Sequence, residues 1–138
     1  MRDKSFLDTN VFIYAYSKTE PEKKRRALEI LRSEKVRIST QVINEFIWVM
    51  YRKFEVPREK LQIIGNRLLN KFELVLISAK TIEKALNIFI TYRFSFWDSL
   101  IIASALESDC SILYTEDMQD GQVIEGRLKI VNPFGVKG

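Results

Sequence analysis

The sequence contains no histidine among its 138 residues. Without an imidazole, the chain has no Ser-His-Asp or Cys-His nucleophile pair, no histidine general base and no histidine-ligated zinc. Glycine is scarce as well, with five residues, which excludes the glycine-rich loops that cradle phosphates and dinucleotides. Any catalysis by this chain must therefore rely on other groups.

Cysteine occurs once, as Cys110. A single cysteine can form neither an internal disulfide nor a cysteine-based metal cage, so we expect a reducing, cytoplasmic location. The apolar segment at residues 6–16 is interrupted by Asp8 and Asn10 and has no small-residue cleavage site. It therefore predicts a buried strand and helix rather than a signal peptide. No uninterrupted apolar run approaches the ~18 residues that span a bilayer, and we expect no membrane association.

The composition is that of an ordinary globular protein, with 46% hydrophobic and 29% charged residues. Because no linker or repeat divides the chain, we expect a single domain over residues 1–138. Short β-forming runs occur at residues 5–7, 36–39, 73–77, 111–114 and 128–131, and helical periodicities lie between them. This alternation predicts an α/β protein, a three-layer α/β/α sandwich around a mostly parallel five-stranded sheet.

Two of the helical periodicities are clear enough to predict a buried face. Residues 81–92 carry one apolar stripe, made by Ile82, Ala85, Leu86, Phe89 and Ile90. A second stripe follows the second strand, made by Ile43, Phe46, Ile47, Met50 and Phe54. Both have the spacing of an amphipathic helix that packs on a sheet, so we expect both stripes to be buried.

The net charge of +4 hides a segregation of charge along the chain. Residues 18–37 contain eight basic and four acidic side chains, and residues 52–71 contain six and two. Residues 94–126 contain no Lys or Arg and seven carboxylates. This pattern favours an anionic polymer held near a cation-binding acidic site, although solvated helix faces give the same pattern.

Three acidic residues lie within apolar segments. These are Asp8, Glu45 and Asp98. A carboxylate is rarely buried without a partner, because its desolvation is costly. Helix capping is the alternative explanation for Asp8 and for Asp98, which follows Ser95 at the capping-box spacing. A turn likewise accounts for Asp117 and Asp120 near Gly121. Glu45, in the middle of a predicted helix, is the hardest to explain structurally.

The predicted topology brings these acids together. In a parallel sheet all strand carboxyl ends lie at one edge, where ligands bind. Asp8 and Asp117 follow strands, while Glu45 and Asp98 lie near the starts of helices on the same side. Four carboxylates at one edge repel one another unless protons or a hard cation neutralise them. Oxygen ligands suit Mg²⁺ or Mn²⁺, and the natural chemistry of such a site is phosphodiester hydrolysis by metal-activated water.

The motifs in this order resemble those of the PIN-domain ribonucleases, specifically the VapC toxins of type II toxin–antitoxin pairs. The resemblance covers nearly the whole chain, through FLDTNV at 6–11, STQVINEF at 39–46, FWDSLI at 96–101, LYTEDM at 113–118 and IVNPF at 130–134. It implies catalytic and metal-binding roles for Asp8, Glu45, Asp98 and Asp117. Glu116 or Asp120 could take the fourth role instead, and Asn10 and Thr115 would orient ligands or water.

The resemblance also implies a function and partners. These are Mg²⁺-dependent endoribonuclease activity on structured RNA, a homodimer, and inhibition by a cognate antitoxin whose C-terminal segment enters the active-site groove. From the residues alone, phosphate contacts are expected among Arg25, Arg26, Arg52, Lys53, Arg58 and Lys60, with ordinary surface charge as the alternative. Base stacking or antitoxin binding is one interpretation of the aromatic residues Trp48, Tyr51, Phe54, Phe96 and Trp97. Packing in the core or at a dimer interface is the alternative.

Two other functions remain to be distinguished. A non-catalytic PIN-like module that binds RNA or protein would be expected to lack one of the acids, and none is missing. A phosphoacceptor receiver domain also uses carboxylates and Mg²⁺ at a sheet edge. It would need paired acids after the first strand, where Asp8-Thr9-Asn10 offers one.

Overall fold

The computed structural model describes residues 4–135, without the side chain of Ser33. Its strands, numbered in chain order, are β1 Lys4–Leu7, β2 Lys35–Ser39, β3 Glu73–Val75, β4 Ile112–Tyr114, β5 Val123–Ile124 and β6 Leu128–Val131. They form one sheet in the order β3-β2-β1-β4-β6-β5. Every neighbouring pair is parallel except β5 with β6. The five predicted strands are confirmed, and β5 is a two-residue strand that the sequence analysis did not predict.

Six helices connect the strands. They are α1 Thr9–Tyr14, α2 Pro21–Ser33, α3 Thr40–Arg52, α4 Arg58–Lys71, α5 Ala79–Tyr92 and α6 Phe96–Glu107. Helices α1 to α4 form one group that packs against β2 and β3. Helix α5 packs on α6, which in turn contacts β2 and β4. The α/β architecture with a mostly parallel central sheet is thus confirmed. No helix within residues 4–135 is long and apolar enough to cross a membrane.

Capping residues in the sequence explain where several of the helices begin. A serine side chain caps each of three helices by accepting a hydrogen bond from a backbone N–H of the first turn: Ser39 at α3, Ser78 at α5 and Ser95 at α6. Pro21 occupies the first turn of α2, where its missing N–H leaves no helical hydrogen bond unmade.

The core lies between the sheet and the two helical groups. Phe6, Leu7 and Leu113 on the central strands have no exposed surface. Phe12 of α1 meets Phe46 of α3 edge to face, with ring centroids 5.0 Å apart. Helix α6 is buried continuously from Ser99 to Leu106, on all of its faces. This helix therefore holds its N-terminal turn rigidly against the rest of the molecule.

The carboxylate of Glu34 links two neighbouring strands of the sheet. Glu34, at the end of α2, accepts hydrogen bonds from the Ser5 hydroxyl of β1 at 2.6 Å and from the Tyr114 hydroxyl of β4 at 2.9 Å. Burial raises the pKa of Tyr114 to about 12, and the hydrogen bond to Glu34 adds to the increase. Glu34 therefore has a structural role between neighbouring strands.

One predicted buried face is wrong. On α5, the residues Ile82, Leu86, Phe89 and Ile90 are 42–68% exposed. Of the predicted stripe Ala85 alone is buried, and Thr81 and Ile88 complete the buried side of α5. Small residues explain this, because Ala85 packs against Ala103 of α6 and lets the two helices approach closely. Since α5 is apolar on more than one side, its periodicity does not indicate which side is covered.

The other predicted stripe is confirmed within α3. Ile43, Phe46 and Met50 are buried, and Ile47 packs partly buried against them. Phe54 is wrong as a member of this stripe, since α3 ends at Arg52 and the Phe54 ring is 44% exposed.

Candidate active site

A cleft of about 250 Å³ lies at the carboxyl edge of the sheet. Its walls come from α1, α3, α6 and the segment after β4. Residues that line it are Asp8, Thr9, Asn10, Ile13, Gln41, Glu45, Val49, Trp97, Asp98, Ile101 and Asp117. The structure thus places all four acids implied by the resemblance in a single cleft, which we call the acidic cleft.

Asp8 lies at the base of the acidic cleft. It follows β1 directly, caps α1, and is 8% exposed. Its Oδ1 accepts a 2.7 Å hydrogen bond from the Thr9 N–H, and its Oδ2 accepts one of 2.8 Å from the Thr115 hydroxyl. Burial raises the pKa of Asp8 to about 6; the two hydrogen bonds oppose this, and the negative charges of Asp98 and Asp117 add to it. Asp8 is therefore both a helix cap and a member of a repulsive acidic group.

Glu45 lies on α3, beyond its first turn, and faces α1. Its Oε1 accepts a 2.7 Å hydrogen bond from the Thr9 hydroxyl. Thr9 thus holds two acids, Asp8 through its backbone and Glu45 through its side chain. The sequence analysis did not identify Thr9. The available signal was a hydroxyl residue directly between Asp8 and Asn10.

Asp98 projects from the first turn of α6. Its backbone N–H donates to the Ser95 hydroxyl at 3.1 Å, so the predicted capping relationship is present on that side. Partial burial raises the pKa of the Asp98 carboxyl; the Ser95 hydroxyl opposes this, and the charge of Asp117 adds to it. The carboxyl group therefore faces other acids as well as the helix start.

Asp117 enters the acidic cleft after β4. Its Oδ2 accepts a 2.6 Å hydrogen bond from the Asn10 amide, and its backbone N–H donates to the Thr115 hydroxyl at 3.2 Å. Thr115 therefore connects Asp117 to Asp8, because its hydroxyl also donates to Asp8. The side-chain oxygen of Asn10 is buried and has no hydrogen-bond partner. The Asn10 oxygen is therefore a hydrogen-bond acceptor beside Asp117 that lacks a donor.

The two alternatives to Asp117 have other partners. Glu116 forms an ion pair with Lys23 and accepts a 2.8 Å hydrogen bond from the Tyr14 hydroxyl. Burial works to raise the pKa of Glu116, but the hydrogen bonds from Lys23 and Tyr14 hold it below its usual value. Asp120 accepts a 2.8 Å hydrogen bond from the Asn132 N–H, which is a turn contact. Of the three, only Asp117 lines the acidic cleft.

The four acids of the acidic cleft are the candidate ligands of a metal ion. Within residues 4–135, no three acidic or cysteine side chains stand close enough together to enclose an ion. The chemistry of the donors nevertheless fits a hydrated hard cation. All are oxygens, burial raises the pKa of Asp8 and the charges of Asp98 and Asp117 add to the rise, and the Asn10 oxygen lacks a donor. Because Mg²⁺ usually keeps several of its waters, one or two carboxylates suffice as direct ligands.

The predicted phosphate-contacting cations are dispersed. Arg25 pairs with Glu22, and Arg26 pairs with Glu29 and donates to the Pro133 carbonyl. Arg52 lies over the Trp48 ring, and Arg58 lies over the Tyr51 ring and donates to its hydroxyl. Lys60 is exposed on α4.

Lys53 lies beside the acidic cleft. It lines a cavity of about 310 Å³ that shares Asn10, Ile13 and Val49 with the acidic cleft.

Comparison with solved structures shows the fold. The Mycobacterium tuberculosis VapC20 toxin, described as cleaving the sarcin–ricin loop, superimposes with a TM-score of 0.67 at 16% identity over 82% of this chain and 89% of that one. A toxin–antitoxin complex from Klebsiella pneumoniae gives 0.72 at 22% identity, over 96% and 99%. VapBC2 from Rickettsia felis, bound to a promoter DNA fragment, gives 0.65 at 19% identity, over 92% and 96%.

Comparison with curated proteins gave no significant match. The family model described as PIN domain matches residues 5–119, which include every acid of the acidic cleft. The match covers most of the chain and agrees with the fold, and the chain therefore belongs to the PIN domain family.

Proposed function

We propose that this chain is an endoribonuclease that depends on Mg²⁺ or Mn²⁺ and serves as the cytoplasmic toxin of a type II toxin–antitoxin pair. The observation that carries the proposal is the acidic cleft, where Asp8, Glu45, Asp98 and Asp117 converge from four parts of the chain. Carboxylates gathered in this way repel one another and lower the stability of the folded protein. Such a loss of stability is typical of functional sites. The structural resemblance to toxins, one of them described as RNA-cleaving, supports the same reaction class.

The residues divide into those that would hold the ion and those that position them. Asp8, Glu45, Asp98 and Asp117 are the proposed ligands, directly or through water. When bound, the ion would polarise the scissile phosphate and lower the pKa of a water molecule, which supplies the nucleophile in a chain without histidine. Thr9 and Thr115 keep the carboxylates oriented through the hydrogen bonds described above, and Asn10 fixes Asp117.

RNA cleavage by the purified protein tests the activity. We expect cleavage with Mg²⁺ or Mn²⁺, loss of cleavage in excess EDTA, and no detectable cleavage by Asp98→Asn at unchanged far-UV circular dichroism. Glu107→Gln, on the other end of α6, is the matched control and should cleave normally. Sequencing of RNA ends after controlled expression, with Asp98→Asn as reference, would identify the substrate. Full activity in EDTA, or in Asp98→Asn, would contradict the proposal.

Binding of RNA without cleavage would point to a different function. In that case the chain would be a non-catalytic PIN-like module, and its acids would have only a structural or cation-storage role. The two functions are distinguished by the RNA ends, since a binding module protects RNA and creates no new termini.

The exposed face of α5 is the proposed homodimer surface. Ile82, Leu86, Phe89 and Ile90 form an apolar stripe along the helix. Phe96 of α6 extends it, with its ring centroid 6.0 Å from that of Phe89. A contiguous apolar patch of this kind on a small domain marks an interaction site. A second copy is a suitable occupant because a two-fold interface needs only one self-complementary patch.

The antitoxin is proposed to enter the acidic cleft with its C-terminal segment and to bind with another part of its chain in a groove between α3 and α4. The volume of this groove is about 660 Å³, and Ile47, Trp48, Leu61 and Leu69 line it. Gly65 also lines it, and a Cβ added there would lie in van der Waals contact with Ile47 at 3.5 Å. Arginines 52 and 58 stand over aromatic rings at its edge. An amphipathic segment with acidic and apolar residues would complement this lining.

A small open reading frame immediately upstream would supply the antitoxin candidate. Co-expression of its product should suppress RNA cleavage, and Leu69→Lys should weaken the complex at least tenfold without changing cleavage by the free protein. Equal binding by Leu69→Lys would contradict the assignment of this groove.

A further inference from the structure

A second cavity adjoins the acidic cleft between α3 and α6, and we call it the side cavity. Its volume is about 450 Å³, within the range of about 300–1,000 Å³ typical of small-ligand sites. The two cavities share Gln41, Glu45 and Trp97 as lining residues. A polymer whose phosphate lies among the acids therefore has a neighbouring recess for the group attached next to that phosphate.

Trp97 supplies a flat apolar surface at the boundary of the two cavities. It lies in the first turn of α6 directly before Asp98, and it is 65% exposed. Its ring packs at a steep angle against that of Phe96, with centroids 6.0 Å apart, and its 65% exposure leaves much of the indole accessible. Ile77 and Leu100 add apolar surface to the same cavity. Exposed aromatic faces of this kind stack unpaired nucleobases.

Gln41 supplies a polar group with unmet hydrogen-bonding capacity. Its side chain is 9% exposed and lines both cavities, yet its Oε1 has no hydrogen-bond partner. Its Nε2 has one long contact, 3.4 Å to the Trp97 carbonyl. A buried amide oxygen without a donor is unfavourable, so a ligand that supplies one is favoured. The Oε1 atom is itself buried, so a ligand reaches it only when the amide turns, and the hydrogen bond that this turn breaks is the long one to the Trp97 carbonyl.

We propose that the side cavity binds one unstacked nucleobase of the RNA, adjacent to the phosphate in the acidic cleft, with its face on Trp97 and its edge hydrogen-bonded to Gln41. This inference rests on the proposed function, since it assigns RNA as the substrate. An amide pairs with a base edge through one donor and one acceptor, which gives a preference among bases. The site therefore selects sequence at one nucleotide, whereas contacts to phosphate do not.

Binding in the absence of cleavage tests the proposal. Asp98→Asn protein with Mg²⁺ is added to four fluorescein-labelled tetranucleotides, each of which contains only one type of base. Binding is followed by the fluorescence anisotropy of the label. We expect at least a fivefold range of affinity among the four. Gln41→Met should reduce that range below twofold. Trp97→Ala should weaken binding of all four about tenfold, and Trp97→Phe should restore most of it. In a Trp48→Phe background, the preferred base should quench the remaining Trp97 fluorescence.

Several results would overturn the proposal. These are an unchanged base preference in Gln41→Met, unchanged affinity in Trp97→Ala, or no binding of any tetranucleotide. Loss of the dimer in Trp97→Ala with unchanged RNA binding would assign the indole to subunit contact instead. Since no step depends on catalysis, base-selective binding by a protein that never cleaves RNA would support the side cavity and reject the proposed enzyme.

Discussion

Thr9 and Glu45 are joined by a 2.7 Å hydrogen bond between the Thr9 hydroxyl and Glu45 Oε1, across 36 positions of the sequence. This contact ties the start of α1 to α3 at the acidic cleft. It also fixes one oxygen of Glu45 and leaves the other open to a ligand. The position of a proposed metal ligand thus depends on a neutral hydroxyl.

Thr9→Val should lower RNA cleavage by about 10–100-fold, because an unsupported ligand binds metal less well. Higher Mg²⁺ should recover part of the activity, and this can be measured as cleavage rate against Mg²⁺ concentration. Thr9→Ser retains the hydroxyl and should behave like the unsubstituted protein. If Thr9→Val and Thr9→Ser show the same Mg²⁺ dependence, the hydroxyl has no positioning role.

Asp8→Asn should raise the stability of the metal-free protein at pH 7 by on the order of 2 kcal/mol. The pKa of Asp8 rises from 3.8 to about 6 on folding, chiefly by burial. The folded state therefore holds the proton more tightly, and stability falls as pH increases from about 4 to above 6. Thermal melts in EDTA at pH 4 and pH 7 measure this. The gain should be present at pH 7 and absent at pH 4; destabilisation at both would indicate that the cap dominates.

Glu116→Gln and Asp117→Asn should separate the two adjacent acids. Glu116 is paired with Lys23 and hydrogen-bonded to Tyr14. Its replacement should therefore lower the free energy of unfolding by about 0.5–1 kcal/mol and leave cleavage unchanged. Asp117→Asn should reduce cleavage at least tenfold with little loss of stability. Cleavage assays and urea melts on both variants supply the comparison. A reversed pattern would make Glu116 the fourth ligand.

Lys53→Gln should weaken RNA binding and reduce its salt dependence by roughly one phosphate contact, a change of about 0.7 in the slope of log K against log salt for a single strand. The reason is its position beside the acidic cleft. Arg25→Gln, which loses an exposed cation paired to Glu22, is the matched control and should leave the slope unchanged. Equal slopes for all three proteins would remove Lys53 from the RNA path. Asp98→Asn protein avoids cleavage during the titration.

Leu86→Lys should convert a dimer to monomers, because it places a charge in the apolar stripe of α5. Sedimentation equilibrium at several concentrations measures the mass. Ile63→Lys changes an apolar residue of α4 that is more exposed than Leu86 and should leave the dimer intact. A monomeric mass for the unsubstituted protein would contradict the dimer proposal altogether.

The sequence predicted the strands well because each is a short β-forming run in a buried layer. It also placed Asp8 and Asp98 in one cleft, since parallel topology fixes where strand ends and helix starts meet. It did not predict the exposed face of α5, where Ala85 rather than a larger residue makes the contact with α6. Nor did it predict the pairing of Glu116 with Lys23 or of Glu45 with Thr9. The partners are separated by 93 and 36 positions of the sequence, and their contact depends on where the folded chain places each side chain.

The burial of α6 on every side has a consequence for control of the molecule. Amide hydrogens in a helix of this kind exchange with solvent only when the whole protein unfolds. Asp98 directly precedes the buried segment Ser99–Leu106, so the position of its backbone depends on the global fold. Local opening of this buried segment is therefore not expected to move Asp98 out of the acidic cleft. We therefore expect restraint of the proposed nuclease to come from outside, through a molecule that occludes the cleft or through a shortage of the proposed cation.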